Sequence, residues 1–185
     1  MTEPLFFDSD CLSAFLWVNE QSILNLIYPG RIIIPKAVYD ELSYPTTPHL
    51  KDCIDYLIAK KQATIENILI PSAAFKLYDK LTKHPDKGHK IIGSGEAACI
   101  ALATTQGDII ASNNLKDIKA YTSEFGLEYI TTGDILLKAL DLGYISEEEG
   151  NNIWYSMLNK RRQLGATSFS EYIKSKNNLW YMNSL

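Results

Sequence analysis

The stretch that decides the fold spans residues 91–118 and reads IIGSGEAACIALATTQGDIIASNNLKDI. Ser94 fits the N-cap of a helix whose alanines allow close packing against a sheet. Residues 107–112 (GDIIAS) then predict a buried strand, and residues 115–126 predict a second helix. Helix, strand and helix in this order are typical of a parallel sheet that is covered by helices.

The rest of the chain repeats this alternation. Strands are predicted at residues 4–8, 31–35, 63–70 and 127–132, and helices at residues 13–27, 36–43, 53–61 and 71–84. Beyond residue 133 the apolar spacing predicts two or three more helices, with a core that contains Trp154, Tyr155, Phe169 and Tyr172. We therefore predict an α/β fold, a three-layer α/β/α sandwich with a central, mostly parallel sheet of four to five strands.

The length of 185 residues suits one domain with a substantial core and is short for two domains of ordinary size. We predict a single domain over residues 1–185, with a C-terminal helical extension from about residue 133. No run approaches the roughly 18 apolar residues of a membrane helix. The N-terminus has no basic region followed by a long apolar core, so a cytoplasmic location without membrane contact is expected.

The net charge of −4 argues against a protein that coats nucleic acid through bulk positive charge. It does not argue against an enzyme that cuts phosphodiesters, because bound divalent cations can offset an acidic centre. Basic residues cluster in residues 76–90 and 160–162, where they would suit RNA phosphates. A charge run is more often a solvated face, and we favour that interpretation for both clusters.

Acidic and amide side chains follow the predicted strands. In a parallel sheet the residues just past the carboxyl ends gather at one edge, where open α/β sheets usually bind ligands. Asp8 ends the first strand, and Ser112, Asn114 and Asp117 follow the fourth. Glu96 lies in the first turn of the helix before that fourth strand, and Glu41 lies on the short helix after the second. Four carboxylates from separate segments are therefore expected to converge.

Each acid taken singly has an ordinary structural explanation. An Asp after a strand is usually a turn former or cap, and a Glu in a first helical turn usually complements the helix dipole. Together they are harder to explain this way, because clustered carboxylates raise one another's pKa unless a cation holds them. Mg²⁺ and Mn²⁺ are hard cations that suit such a cluster.

Four segments resemble, in order, the motifs of PIN-domain nucleases. FFDSDCLS (residues 6–13) is similar to their opening strand and aspartate, and VYDEL (residues 38–42) is similar to their second acidic motif. GEAACIALA (residues 95–103) resembles the third motif in a variant with Glu in place of the commoner Asp. SNNLKDI (residues 112–118) resembles the fourth. The resemblance covers about residues 5 to 135.

This resemblance implies a metal-dependent endoribonuclease with Mg²⁺ or Mn²⁺ as its cofactor. Carried over by position, it implies the catalytic acids Asp8, Glu41, Glu96 and Asp117, supported by Ser112 and Asn114. Of these, Asp8, Glu96 and Asp117 are the expected metal ligands, and Glu41 is expected to position water or a second ion. Many small members are toxins, which implies an RNA substrate, an antitoxin protein and a homodimer as partners. The apolar segment at residues 177–185 suits packing on a neighbour or on the chain's own core.

Two other readings remain open at this point. LFFDSDCL also resembles the opening of haloacid-dehalogenase-type phosphatases, in which Asp8 would be the nucleophile and Asp10 a general acid. The Gly133–Asp134 pair would then supply a further acid, although it lies where a helix cap is expected. The third reading is a non-catalytic PIN-like module that binds RNA.

Overall fold

Five parallel strands form the central sheet of the computed structural model, which describes residues 3–87, 89–107 and 109–183 and side chains up to residue 178. The strands are β1 (Leu5–Phe7), β2 (Ile32–Pro35), β3 (Ala63–Glu66), β4 (Ile109–Ala111) and β5 (Glu128–Ile130). They lie in the order β3-β2-β1-β4-β5, and every neighbouring pair is parallel. The predicted sheet is therefore confirmed, and it is parallel throughout.

Ten helices cover this sheet in the described parts of the chain. They are α1 (Ser9–Leu16), α2 (Ser22–Ile27), α3 (Lys36–Leu42), α4 (Pro48–Ala59), α5 (Ala73–Thr82), α6 (Ser94–Gln106), α7 (Leu115–Phe125), α8 (Thr132–Asp141), α9 (Glu147–Asn159) and α10 (Phe169–Asn183). They give the predicted α/β/α sandwich. Among the residues that the structure describes, none of the helices combines the length and apolar character that a membrane crossing requires.

The burial of the strands follows from their order in the sheet. Leu5, Phe6 and Phe7 of the middle strand β1 are at most 1% exposed, because β1 lies between β2 and β4 and the helix layers cover the faces to which its side chains point. Strands buried on both faces read as continuous apolar runs, as LFF and IIIP do. The edge strand β5 carries an exposed Glu128 and two half-buried residues.

Helix α6 is the central helix of one layer and fixes the position of the site. It contacts β1, β2 and β4 and lies beside α3, α5 and α7. Its residues from Ala97 to Ala103 are all buried, at 1% exposure or less. Small alanine side chains let a helix approach a sheet closely, and the sequence GEAACIALA therefore packs flat against the strands.

Three local predictions were wrong in detail. Residues 13–27 were predicted as one helix, but they form α1 and α2, separated by a turn in which Asn19 adopts a left-handed conformation. The predicted strand at residues 63–70 ends at Glu66. Tyr155 was assigned to the core but is 66% exposed, because it lies on the solvent side of α9.

The last three helices pack against one another through aromatic side chains. Trp154 and Phe169 are fully buried, and Tyr172 is 8% exposed. The Trp154 ring lies 5.9 Å from that of Phe169 and 5.4 Å from that of Tyr172, and its Nε1 donates a hydrogen bond to Ala166 O. The side chains of residues 179–185, part of the C-terminal segment singled out in the sequence, lie outside the described residues.

Gly150 on α9 is required by the ring of Phe169. A Cβ atom at this position would lie 2.3 Å from Phe169 Cδ1, which is far inside van der Waals contact. We expect Gly150→Ala to lower the free energy of unfolding by a net ~1–2 kcal/mol, because overpacking outweighs the gain in helix propensity. Chemical denaturation measures the change.

The control is Asn152→Ala, which also raises helix propensity, by somewhat less, at an exposed position of α9. It should keep or raise the free energy of unfolding, by less than about 1 kcal/mol. Equal stability of the two variants would contradict the packing of α9 on α10.

Candidate active site

Asp8 is the first of the predicted acids at the carboxyl edge of the sheet, and it is only 1% exposed. Its backbone N–H bonds to Ala111 O, so the end of β1 stays attached to the end of β4. Its side chain caps α1 by accepting a hydrogen bond from the Ser9 N–H at 2.6 Å. The other carboxylate oxygen accepts one from the buried Ser112 hydroxyl at 2.8 Å.

The pKa of Asp8 is raised well above its usual value. Burial is the largest cause, and the negative charges of Asp10 and Glu96 raise the pKa further. The hydrogen bonds from Ser112 and Ser9 act in the opposite direction and do not compensate. The carboxylates of Asp10 and Glu96 therefore lie close enough to Asp8 to disfavour its ionisation.

Glu41 reaches the same place from α3 by binding the start of α6. Its Oε1 accepts hydrogen bonds from the Ser94 hydroxyl at 2.7 Å and the Gly95 N–H at 3.0 Å. Glu41 thus satisfies one free N–H in the first turn of α6, where no local side chain caps the helix. The prediction that Ser94 is the N-cap was wrong, because Gly93 occupies the cap and Ser94 is the first helical residue.

Gly95 brings Glu41 and Asp8 together. A Cβ at this position would lie 2.9 Å from Glu41 Oε2 and 3.1 Å from Asp8 Oδ1. Both carboxylates therefore border the same small space beside the helix, which a side chain on residue 95 would fill.

Asn114 connects the two remaining acids. Its Nδ2 donates one hydrogen bond to Glu96 Oε1 at 2.9 Å and another to Asp117 Oδ2 at 2.8 Å. Its own N–H bonds to the Ser112 hydroxyl, which in turn binds Asp8. The structure thus connects Asp117 to the other acids through an amide, while Glu96 lies near Asp8 itself.

Asp10 and Asn113 also belong to the site, although neither was among the residues predicted for a nuclease. Asp10 Oδ1 accepts a hydrogen bond from the Asn113 N–H at 3.1 Å, and burial followed by the charge of Glu96 raises the pKa of Asp10. The Asn113 side chain bonds to Thr132 at the start of α8. The repeated asparagines of SNN were the available signal.

A cavity of 340 Å³ opens beside these acids. Asp10 and Glu96 line it together with the amides Asn113 and Asn114. Arg161 and Arg162 line it as well, although residues 160–162 were interpreted as a solvated face. We call this space the acidic cavity. By contrast, Lys80 and Lys83 of the other basic run form ion pairs with acids on the surface.

The acids suit a divalent cation in chemistry but are not preassembled around one. Within residues 3–87, 89–107 and 109–183, no three Asp, Glu, His or Cys side chains stand close enough to hold a metal ion together. Oxygen donors with an excess of negative charge nevertheless fit Mg²⁺ or Mn²⁺. Burial raises the pKa of Asp8 most, and the negative charges of Asp10 and Glu96 raise it further, which a bound cation would offset.

Asp134 does not serve this site, which argues against the phosphatase reading. Its carboxylate accepts hydrogen bonds from the Thr131 N–H, the Thr131 hydroxyl and the Tyr172 hydroxyl, and it pairs with Lys176. The contacts with Thr131 belong to the capping box of α8, and those with Tyr172 and Lys176 join it to α10. The expected helix cap is therefore found where a catalytic acid would be needed.

One comparison with known proteins gives a match, and it is to a family model. A protein-family model described as DUF3368, PIN domain, matches residues 5–178 of the chain. No curated protein and no solved structure gives a significant match.

Asp8→Asn is expected to stabilise the metal-free protein. Asparagine is an equally good N-cap, so the variant removes the buried charge and keeps the start of α1. We expect the midpoint of thermal unfolding to rise at about pH 8 by at least about 2–4 °C, the shift that ~1 kcal/mol produces at this length.

The effect has a defined pH dependence. The folded-state pKa of Asp8 is raised, so its contribution to stability is complete below the ordinary aspartate value of about 4 and is lost as the pH rises through the raised value. The difference between variant and wild type should therefore shrink as the pH falls towards about 4. A difference that is constant over this range would argue against a raised pKa at Asp8.

Proposed function

Because the chain belongs to the PIN-domain family, whose members are generally nucleases, we propose that it is a metal-dependent endoribonuclease that hydrolyses RNA phosphodiester bonds. The observation that carries this proposal is the buried carboxylate of Asp8, whose pKa is raised by burial and further by the charges of Asp10 and Glu96, the two acids that line the acidic cavity. Repelling carboxylates at the ligand-binding edge of an α/β sheet are a functional arrangement more often than a structural one.

The proposed roles follow the placement of each side chain. Asp8, Glu96 and Asp117 would hold Mg²⁺ or Mn²⁺, and Asp10 lines the acidic cavity together with Glu96. When bound, the ion polarises the scissile phosphate and lowers the pKa of a water molecule. Ser112 and Asn114 orient the acids by donating hydrogen bonds to them. This function would explain why hydroxyl and amide groups donate hydrogen bonds to these carboxylates, while no Lys or Arg among the described residues forms an ion pair with them.

Glu41 is suited to positioning the attacking water. One of its oxygens is fixed by Ser94 and the Gly95 N–H, which leaves Oε2 facing the space that it shares with Asp8. A carboxylate held in this way accepts a proton without changing its position. The fixed geometry is the contribution of the protein, and hydrolysis by this class of site depends chiefly on such positioning.

The first test is cleavage of a mixed single-stranded RNA pool by purified protein in Mn²⁺. We expect cleavage by the wild type, none after addition of EDTA, and a loss of at least about 100-fold in Asp8→Asn. Asp79→Asn is the matched control, because it makes the same change on the surface of α5, where Asp79 pairs with Lys83. Full activity of a folded Asp8→Asn variant would contradict the assignment.

One observation favours a second candidate, a PIN-like module that binds RNA without cutting it. The described acids are not preassembled as a three-ligand metal site. Thermal unfolding with and without Mn²⁺ separates the two candidates. An ion that binds only the folded state, at a free concentration of 100 times its Kd, adds about 2.7 kcal/mol to the free energy of unfolding. A nuclease should show this stabilisation in the wild type and lose it in Asp8→Asn, whereas a non-catalytic module should show none.

We further propose that the chain is a cytoplasmic toxin that forms a homodimer and is inhibited by an antitoxin protein. Support comes from the resemblance to small PIN-domain toxins and from the open acidic cavity, into which a short segment of a partner could fit. Induced expression of the wild type should then arrest growth of a host cell, and Asp8→Asn should not. Isolation of the free chain from its own cells, without a small protein partner, would count against this role.

A further inference from the structure

The turn that ends α9 aims two arginines at the acidic cavity. The Arg161 N–H bonds to Leu158 O at 2.8 Å, and the Arg162 N–H bonds to Met157 O at 3.1 Å. This pair of bonds is the Schellman motif, in which the residue after the C-cap adopts a left-handed conformation. Arg161 occupies that position with φ of 58°. The backbone thereby reverses and directs residues 161–163 towards Asp10 and Glu96.

Arginine is an unusual residue at this position. Glycine is preferred there because it has no Cβ, as at the end of α7, where Gly126 has φ of 68°. The chain also departs from this preference at the end of α4, where Lys61 has φ of 57°, so the position alone assigns no role to Arg161. In the residues that the structure describes, no carboxylate lies within ion-pair distance of Arg161 or Arg162.

Arg162 is held by neutral groups. Its Nη1 donates to the Ser13 hydroxyl at 3.3 Å, and its Nε donates to Lys160 O at 3.0 Å. Its guanidinium carbon lies 5.9 Å from the centre of the Trp17 ring. These contacts fix the direction of the side chain, and none of the described carboxylates acts as a counter-ion to its positive charge. Ser13 lies on α1, the helix that Asp8 caps, so the arginine is tied to the same element as the acids.

We propose that Arg161 and Arg162 bind phosphates of the RNA backbone beside the scissile bond, as the cationic wall of the acidic cavity. The inference rests on the proposed nuclease function and names how that site takes its substrate. A phosphodiester bound at the acids carries neighbouring phosphates along the strand, and guanidinium groups bind phosphate oxygens with two parallel hydrogen bonds. The cavity volume of 340 Å³ is within the usual range of ligand pockets, roughly 300–1,000 Å³.

Local cations are needed here because the whole chain repels RNA. The net charge is −4, and the edge of the sheet adds the carboxylates of Asp8, Asp10 and Glu96 to the local potential. A pair of arginines on the facing wall gives the strand a position and a direction relative to the acids.

Arg161→Gly tests the proposal, because glycine relaxes the backbone and removes the charge. Lys61→Gly is a matched control: Lys61 has φ of 57° at the same position of the motif that ends α4. It precedes β3, at the opposite edge of the sheet from the acids. Both variants lose one positive charge, and both should keep or raise the midpoint of thermal unfolding. Arg161→Asn, which also tolerates the left-handed conformation, separates loss of charge from added flexibility.

Binding is measured by fluorescence anisotropy with a labelled single-stranded RNA of mixed sequence, over a series of KCl concentrations. All variants are made in the Asp8→Asn background so that the RNA stays intact. We expect Arg161→Gly and Arg161→Asn to weaken binding and to reduce the slope of log affinity against log salt by about 0.7, the value for one lost contact with a single strand. Lys61→Gly should leave affinity and slope unchanged.

The outcomes separate this inference from the nuclease proposal. Equal slopes for the Arg161 and Lys61 variants would overturn the phosphate-binding role of the arginines. That result would not bear on whether the wild type cleaves RNA. A reduced slope in the Arg161 variants supports the role even if the wild type cuts no RNA. In that case the nuclease proposal fails, and the arginine wall belongs to an RNA-binding module.

Discussion

The burial of Asp8 between the ends of β1 and β4 is the constraint on which the rest of the site depends. A carboxylate that is 1% exposed must be compensated by nearby donors, and Asp8 accepts hydrogen bonds from the Ser9 N–H at the start of α1 and from the Ser112 hydroxyl after β4. Two further helix starts hold the neighbouring acids, because the Gly95 N–H of α6 binds Glu41 and the amide of Asn114, the N-cap of α7, binds Glu96. The positive ends of these helix dipoles meet at the acids because parallel strands direct every following helix to one edge. These hydrogen bonds do not fully offset burial and the neighbouring negative charges, so the pKa of Asp8 stays above its usual value.

Much of this arrangement could be predicted from the sequence, because it depends on local pattern and on one topological rule. Apolar runs identified the strands, and the gathering of residues at the carboxyl edge brought Asp8, Glu41 and Glu96 together. Contacts between segments that are distant in the sequence could not be predicted from local pattern. The sequence suggests Ser94 as a cap, whereas in the structure its hydroxyl and the Gly95 N–H both bind Glu41 of the distant helix α3. Arg162 meets Ser13 only through the packing of the whole chain, so a basic run at residues 160–162 resembles an ordinary solvated surface.

The C-terminal helices therefore do more than cover the sheet. Trp154 packs against Phe169 and Tyr172 and donates to Ala166 O, which fixes the segment between α9 and α10. Within that segment lie Arg161 and Arg162, which form one side of the acidic cavity. An element that reads in the sequence as an accessory extension thus contributes a wall to the candidate site, and the stability of its aromatic core is coupled to the shape of that site.

Gly95 has a consequence for how such a site can change during evolution. It carries no reactive group, yet the carboxylates of Asp8 and Glu41 approach each other across the space that its missing side chain leaves. A methyl group there would meet Glu41 Oε2 at 2.9 Å and would push this flexible carboxylate away from the start of α6 while all four acids remained in the sequence. A substitution of Gly95 could therefore weaken or alter the site during evolution without changing any of the four acids. Inspection of the acids alone would not detect this change.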